Sequence, residues 1–134
     1  MIISNCKKIV GGSGEGVALV TAQPLNFLAM VDSRTGMVID SKHQLHKKSL
    51  KGVVLAFPYA IGSSVGAYTL FSLREFGCAP AAVICSRADI TTASGCAIAG
   101  IPVVDLPNHI QLSSIKQGSV ATVQADEGQI ILGD

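Results

Sequence analysis

Between Val53 and Asp105 the chain alternates short apolar runs with helix-like segments, and this alternation narrows the possible folds more than any other feature. Val53-Val54-Leu55-Ala56-Phe57 is a continuous apolar run of strand length, as expected for a strand buried on both faces. From Ser63 to about Phe76, apolar residues recur roughly once per turn at Val65, Tyr68, Phe71 or Leu73, and Phe76, which predicts a helix. Gly77 is placed to stop it and Pro80 follows. Ala81-Ala82-Val83-Ile84-Cys85 reads as a second strand, Ile90 to Ala99 as a short helix, and Ile101-Pro102-Val103-Val104-Asp105 as a third strand. Strand, helix, strand, helix, strand implies a small parallel sheet with right-handed crossovers.

The flanks read as β structure. Gly16-Val17-Ala18-Leu19-Val20-Thr21 is a β-branched run, and two further strands, Phe27–Val31 and Met37–Ile39, are expected on either side of the turn sequence Asp32-Ser33-Arg34-Thr35-Gly36. Lys42 to Lys51 is polar and reads as a loop. Near the end, Ser119–Gln124 and Gln129–Leu132 surround Ala125-Asp126-Glu127-Gly128, a hairpin turn with Gly in its last place. The expectation is one layered β/β/α domain over residues 1–134, of α/β class, with a parallel βαβ core, flanking hairpins and terminal β elements that pack together.

Composition then excludes several functions. The net charge is +1 with no basic run, so the electrostatic footprint of a nucleic-acid binder is missing. Aromatic residues are 4 % with no Trp, which leaves little for stacking on single strands. The longest apolar run, Val53 to Ile61, is interrupted by Pro58 and is too short to cross a bilayer. The N-terminus lacks the basic-then-apolar order of a signal peptide, so a soluble cytoplasmic protein is expected. Charged residues are only 14 %, against about 25 % in an average soluble domain. So few charges cannot cover the whole surface of a small protein, and part of that surface is expected to be buried against a partner.

Several residues invite a chemical reading. Gly11-Gly12-Ser13-Gly14-Glu15-Gly16 looks like a nucleotide loop, yet a strand follows it where a helix would be needed, and the Gly-Lys-Ser/Thr of a P-loop is absent. It reads as a flexible turn. Cys6, Cys78, Cys85 and Cys96 have no metal-ligand spacing and read as buried free thiols. His43 and His46 lie in a Lys-rich stretch without a third ligand, as in a solvated loop, and His109 is isolated.

Gly62-Ser63-Ser64-Val65-Gly66 stands apart because it places two hydroxyls at a predicted helix start. Backbone N–H groups there lack intrahelical partners and the dipole is positive, so anions bind at such ends. Serine is also a preferred cap. Capping and chemistry both remain open on the residues alone. A reactive serine needs a neighbouring base or a strong positive field; the motif has neither a Gly-x-Ser-x-Gly elbow nor an obvious His/Asp pair. An activating group from a partner is the corollary.

Glu15–Thr21, Phe27-Leu28, Gly62–Tyr68, Ala79–Ala82, Ala99–Val104 and Ala125–Gly128 occur in an order that resembles the small subunit of the aconitase X family, nearest to its archaeal phosphomevalonate-dehydrating branch. The resemblance spans nearly the whole chain. It implies a swivelling β/β/α domain that pairs with a larger subunit carrying an iron–sulfur cluster on its own cysteines, this chain binding no cofactor itself. The implied reaction removes water from (R)-5-phosphomevalonate, giving trans-anhydromevalonate 5-phosphate. The implied proton acceptor is Ser63, with Gly62, Ser64, Val65 and Gly66 orienting the substrate. Ala60-Ile61 stands where relatives often carry Gly-Lys, and Val65 where aconitases carry Arg. Another dehydratase of the same family (hydroxyproline type) and a non-catalytic swivelling module are the rival expectations.

Overall fold

The computed structural model describes residues 1–133. The elements are β1 (Ile2–Ile3), β2 (Lys7–Val10), β3 (Ser13–Val20), α1 (Phe27–Met30), β4 (Val54–Phe57), α2 (Gly66–Glu75), β5 (Ala82–Cys85), α3 (Ile90–Ala99), β6 (Val103–Asp105), β7 (Val120–Gln124) and β8 (Gln129–Leu132), with a 3-10 turn at Leu112–Ser114. The strands run β1-β8-β7-β3-β4-β5-β6-β2. The β4, β5 and β6 strands pair in parallel, β4 pairs in parallel with the second half of β3, and β2 closes the far side antiparallel to β6. The first half of β3 instead pairs antiparallel with β7, which continues into β8 and β1.

This division of β3 between two sheets creates the layers. Along β4, β5 and β6, Leu55, Phe57, Val83, Cys85 and Val103 share one core with Leu70 and Leu73 of α2 and Cys96 and Ala99 of α3. The alternate residues Val54, Ala56, Ala82, Ile84 and Val104 share a second core with Ala121, Val123, Ile130 and Leu132 of the antiparallel sheet. Both faces of the central strands are therefore covered, which is why they read as continuous apolar runs. The expected β/β/α layering is present: antiparallel sheet, mixed sheet, helices.

Three expectations are corrected. Ser13-Gly14-Glu15-Gly16 is strand rather than flexible turn, and only Gly11 and Gly12 lie outside β3. A Cβ on Gly14 would run into the Ala81 carbonyl, and one on Gly16 into the Gly52 carbonyl. Glycine is needed here because backbone crosses backbone where the two sheets meet. Phe27–Met30 is a helical turn, not a strand: Asn26 Oδ1 accepts the Ala29 N–H at 3.1 Å, and the burial of Phe27 and Val31 follows a helical spacing of four. Met37 and Val38 form only isolated bridges, to Ser49 and Val31. The turn between them is as expected, with Gly36 donating to the Asp32 carbonyl at 2.8 Å.

Both long helices end on a left-handed glycine, the first at Gly77 as expected and the second at Gly100, which was not singled out. The Cys78 N–H reaches back to the Leu73 carbonyl at 2.9 Å across Gly77 (φ +71°), and Ile101 does the same to Cys96 across Gly100 (φ +71°).

Candidate functional site

The Gly62–Gly66 segment lies on the loop that leaves the carboxyl end of β4 and enters α2. The strand does not turn straight into the helix. Residues 58–65 intervene, and α2 begins at Gly66 rather than Ser63. Before it, a tighter turn is wound: Gly66 N–H donates to the Ser63 carbonyl at 3.0 Å, Ala67 to Ser64 at 3.1 Å and Tyr68 to Val65 at 2.9 Å. The Ser63 hydroxyl oxygen accepts the Val65 N–H at 3.1 Å, so Ser63 caps this first turn, two residues ahead of the residue that flanks α2 itself, Val65, which makes no side-chain cap bond.

Capping leaves both hydroxyl protons free. Ser63 and Ser64 are exposed, and among the described residues nothing accepts the proton of either hydroxyl. The N–H groups of Val65 and Gly66 are used within the turn, whereas those of Gly62, Ser63 and Ser64 have no partner among the described residues. Three free donors therefore precede the positive end of a ten-residue helix, an arrangement that attracts an anion. An N–H donated to the Ser63 oxygen also favours its deprotonated form. No His, Lys, Arg or carboxylate among the described residues hydrogen-bonds either hydroxyl, so no activating group for them is found there.

The loop is held from both sides. Leu25 and Ala60 form a parallel bridge, with the Ile61 N–H on the Leu25 carbonyl at 2.9 Å. Gly62, at φ +93°, is seated on Asn26, whose side chain occupies the space that a Cβ would need. On the other side, Asp89 Oδ1 accepts the Ala60 N–H at 2.7 Å. Around the serines the surface is apolar. Ile61 and Val65 are exposed, Tyr68 is 72 % and Ile98 67 % exposed, and Ser64, Ala67, Tyr68, Phe71, Ser94 and Ile98 line a groove between α2 and α3.

Other sequence-predicted groups lie away from this loop. The four cysteines are buried and free; burial pushes the Cys96 thiol up to about 12 and Cys85 well above its ordinary value. His43 is a correction: it is buried, not solvated, with Nε2 against the Pro24 carbonyl at 3.0 Å and Nδ1 accepting the Leu45 N–H at 3.0 Å. These two bonds fix the neutral Nε2–H tautomer and make it a structural strut. Among the described residues no three His, Cys, Asp or Glu side chains gather as metal ligands.

Two carboxylates were not singled out in the sequence. Asp89 announces itself only as a cap before α3, and its bond to Ala60 joins residues 29 apart. Asp105, raised by burial against the opposing pull of the Ala88 N–H, Lys7 and Arg87, accepts that N–H at 2.8 Å. Only the folded sheet brings either contact about.

The fold is thus a layered β/β/α domain that presents an exposed serine loop ahead of a helix. The chain belongs to the aconitase X swivel domain family, matched over residues 3–132. It is 44 % identical to the phosphomevalonate dehydratase small subunit of Methanothermobacter thermautotrophicus, over 94 % of this chain and 96 % of that protein. It is likewise 44 % identical to the Thermococcus onnurineus protein of the same name, over 92 % and 93 %. Among solved structures it matches holo-form aconitase X of Thermococcus kodakaraensis with a TM-score of 0.93 and 36 % identity, covering 100 % of this chain and 99 % of that one. A solution structure of a UPF0107 protein matches with a TM-score of 0.91, 36 % identity and full coverage of both chains.

Proposed function

We propose that this chain is the small subunit of a heteromeric hydro-lyase that dehydrates (R)-5-phosphomevalonate to trans-anhydromevalonate 5-phosphate in an archaeal mevalonate route to isoprenoids. Ser63 is the proton acceptor on this reading. The observation that carries it is the Ser63 turn: an exposed hydroxyl whose oxygen takes a backbone N–H, beside three free N–H donors at a helix start. The proton to be removed is alpha to a carboxylate and weakly acidic, so a strong base is required, and a serine alkoxide qualifies if its charge is stabilised. The Val65 N–H and the helix end supply part of that stabilisation. Gly62 and Ser64 orient the substrate through their N–H groups, while Val65 and Gly66 shape the turn.

The rest of the site is assigned to a larger subunit. The exposed apolar face formed by Ile61, Val65, Tyr68, Phe71 and Ile98 borders the serines, as the surface of a half-site closed by a partner would. The residues of this chain do not fit an iron–sulfur cluster, because its thiols are buried and dispersed. The cluster is assigned to the large subunit, where its chemistry would be Lewis-acid assistance to departure of the tertiary hydroxyl.

The test is reconstitution with a cluster-bearing large subunit and assay on (R)-5-phosphomevalonate and on hydroxyproline. Turnover of the phosphorylated hydroxy acid by the complex, with neither chain active alone, is the expected result. Activity of the isolated chain, or turnover of hydroxyproline alone, would overturn the assignment.

A further inference from the structure

Asp89 does more than a helix cap requires. It precedes α3 in extended conformation (φ −84°, ψ 172°), and Oδ2 accepts the Thr92 N–H at 3.1 Å. That single bond satisfies the cap. Oδ1 meanwhile accepts two further donors, the Thr92 hydroxyl at 2.8 Å and the Ala60 N–H at 2.7 Å. The bond to Ala60 is the shortest of the three, joins a carboxylate to a backbone donor, and belongs to the class of hydrogen bonds roughly twice as strong as neutral ones.

Ala60 is three residues ahead of Ser63. Its other side is bridged to Leu25, so its peptide is clamped between that bridge and the Asp89 carboxylate. Between the clamp and the serine turn stand only Ile61 and Gly62, and Gly62 is fixed in a left-handed conformation against Asn26. Release of the Ala60 N–H would remove one of the two sides of this clamp, loosening the connection that carries the Ser63 hydroxyl and the three free N–H groups while the Leu25 bridge still holds the other side. Asp89 is itself backed by a parallel device. Asp105, at the end of β6, holds the Ala88 N–H, and the Arg87 N–H donates to the Pro58 carbonyl at 3.2 Å. Carboxylates and backbone thus lace the loops after β4, β5 and β6 to one another.

We propose that Asp89 is a positioning residue for the Ser63 site, holding the loop through Ala60 independently of its capping of α3. This rests on Ser63 being the proton acceptor. The two roles of Asp89 separate by side-chain length. A serine at position 89 keeps a good cap for Thr92 but is too short to hold Ala60 as well, whereas asparagine has one acceptor oxygen, which can hold Ala60 from the Oδ1 position while its NH2 replaces the oxygen that caps Thr92.

The experiment compares Asp89→Ser, Asp89→Asn and Ser63→Ala, each in the reconstituted complex and as the isolated full chain. In the isolated chain, Asp89→Ser is expected to speed amide exchange at Ala60 by on the order of tenfold or more. The Ala93 amide, bonded to the Asp89 carbonyl at 3.0 Å, is expected to stay protected. In the complex, kcat is expected to fall by roughly 10- to 100-fold with KM little changed, as for a misplaced catalytic group, and Asp89→Asn is expected to recover most of it. Unchanged Ala60 exchange, or a kcat for Asp89→Ser within about twofold of the parent, would overturn the inference. Equal damage by Asp89→Asn would do the same. If Ser63→Ala itself stays active, the reading of Ser63 fails instead, and the exchange result still decides whether Asp89 clamps the loop.

Discussion

Replacing Gly95 by Ala reverses the usual sign of a helix substitution. In an ordinary helix interior, Gly→Ala stabilises by about 1 kcal/mol. Gly95 lies on α3 where it crosses α2, and an added Cβ would sit 2.7 Å from Leu70 Cδ1, 3.0 Å from Ala67 Cα and 3.1 Å from the Ala67 carbonyl oxygen. Leu70 is fully buried and has little room to withdraw, and Ala67 presents backbone, so the helices must part by several tenths of an ångström. Overpacking of this kind costs about 1–3 kcal/mol, which leaves a net destabilisation of up to about 2 kcal/mol once the propensity gain of about 1 kcal/mol is set against it. For a chain of 134 residues that is a drop in Tm of up to about 7 °C. Thermal melting by circular dichroism measures it, with Ser94→Ala on the exposed side of the same helix as the control expected to change little. A higher Tm for Gly95→Ala than for the parent would refute the close-packing argument.

Gly16→Ala brings a Cβ onto the Gly52 carbonyl at the junction of the two sheets; it is expected to lower stability by about 3 kcal/mol or more, read as the midpoint of urea unfolding, and Gly14→Ala to behave alike. The buried thiols give a pH signature. Cys96 stands at about 12 against an ordinary 9.0, and Cys85 is raised in the same direction, chiefly by burial. Their contribution is therefore full below about pH 9 and is lost as pH climbs from there through the folded-state values. A Cys85→Ala, Cys96→Ala double variant is expected to show a shallower fall of Tm between about pH 8.5 and 10.5 than the parent; an equal slope in the two proteins would contradict it.

The central alternation from Val53 to Asp105 was legible because strands covered on both faces need continuous apolar runs, and the first helix carries a local stop at Gly77. The serine motif was legible for a similar reason: helix starts are local chemistry. What failed was decided at long range. Ser13–Gly16 resembled a loop because glycine is depleted in strands, yet here two glycines admit crossing carbonyls of Ala81 and Gly52. Phe27–Val31 offered five apolar residues that fit strand or helix equally, and Asn26 decided the matter through one side-chain bond. Among the polar residues of the 42–51 loop, His43 is buried because Pro24, nineteen residues earlier, supplies an acceptor. The clamp from Asp89 to Ala60 has no sequence signal at all, since neither residue is near the other until β4 and β5 pair.

The most direct test of the account is Ser63→Ala set beside Ser64→Ala in the reconstituted two-subunit enzyme. The Ser63 variant loses the hydroxyl that the Val65 N–H holds in place, while Ser64, whose hydroxyl makes no such bond, keeps its backbone N–H in either case. Turnover of (R)-5-phosphomevalonate by Ser63→Ala is expected to fall by on the order of 10²–10⁴, with assembly intact by size-exclusion chromatography, and that of Ser64→Ala to fall far less. Near-parental turnover by the Ser63→Ala complex would contradict the account.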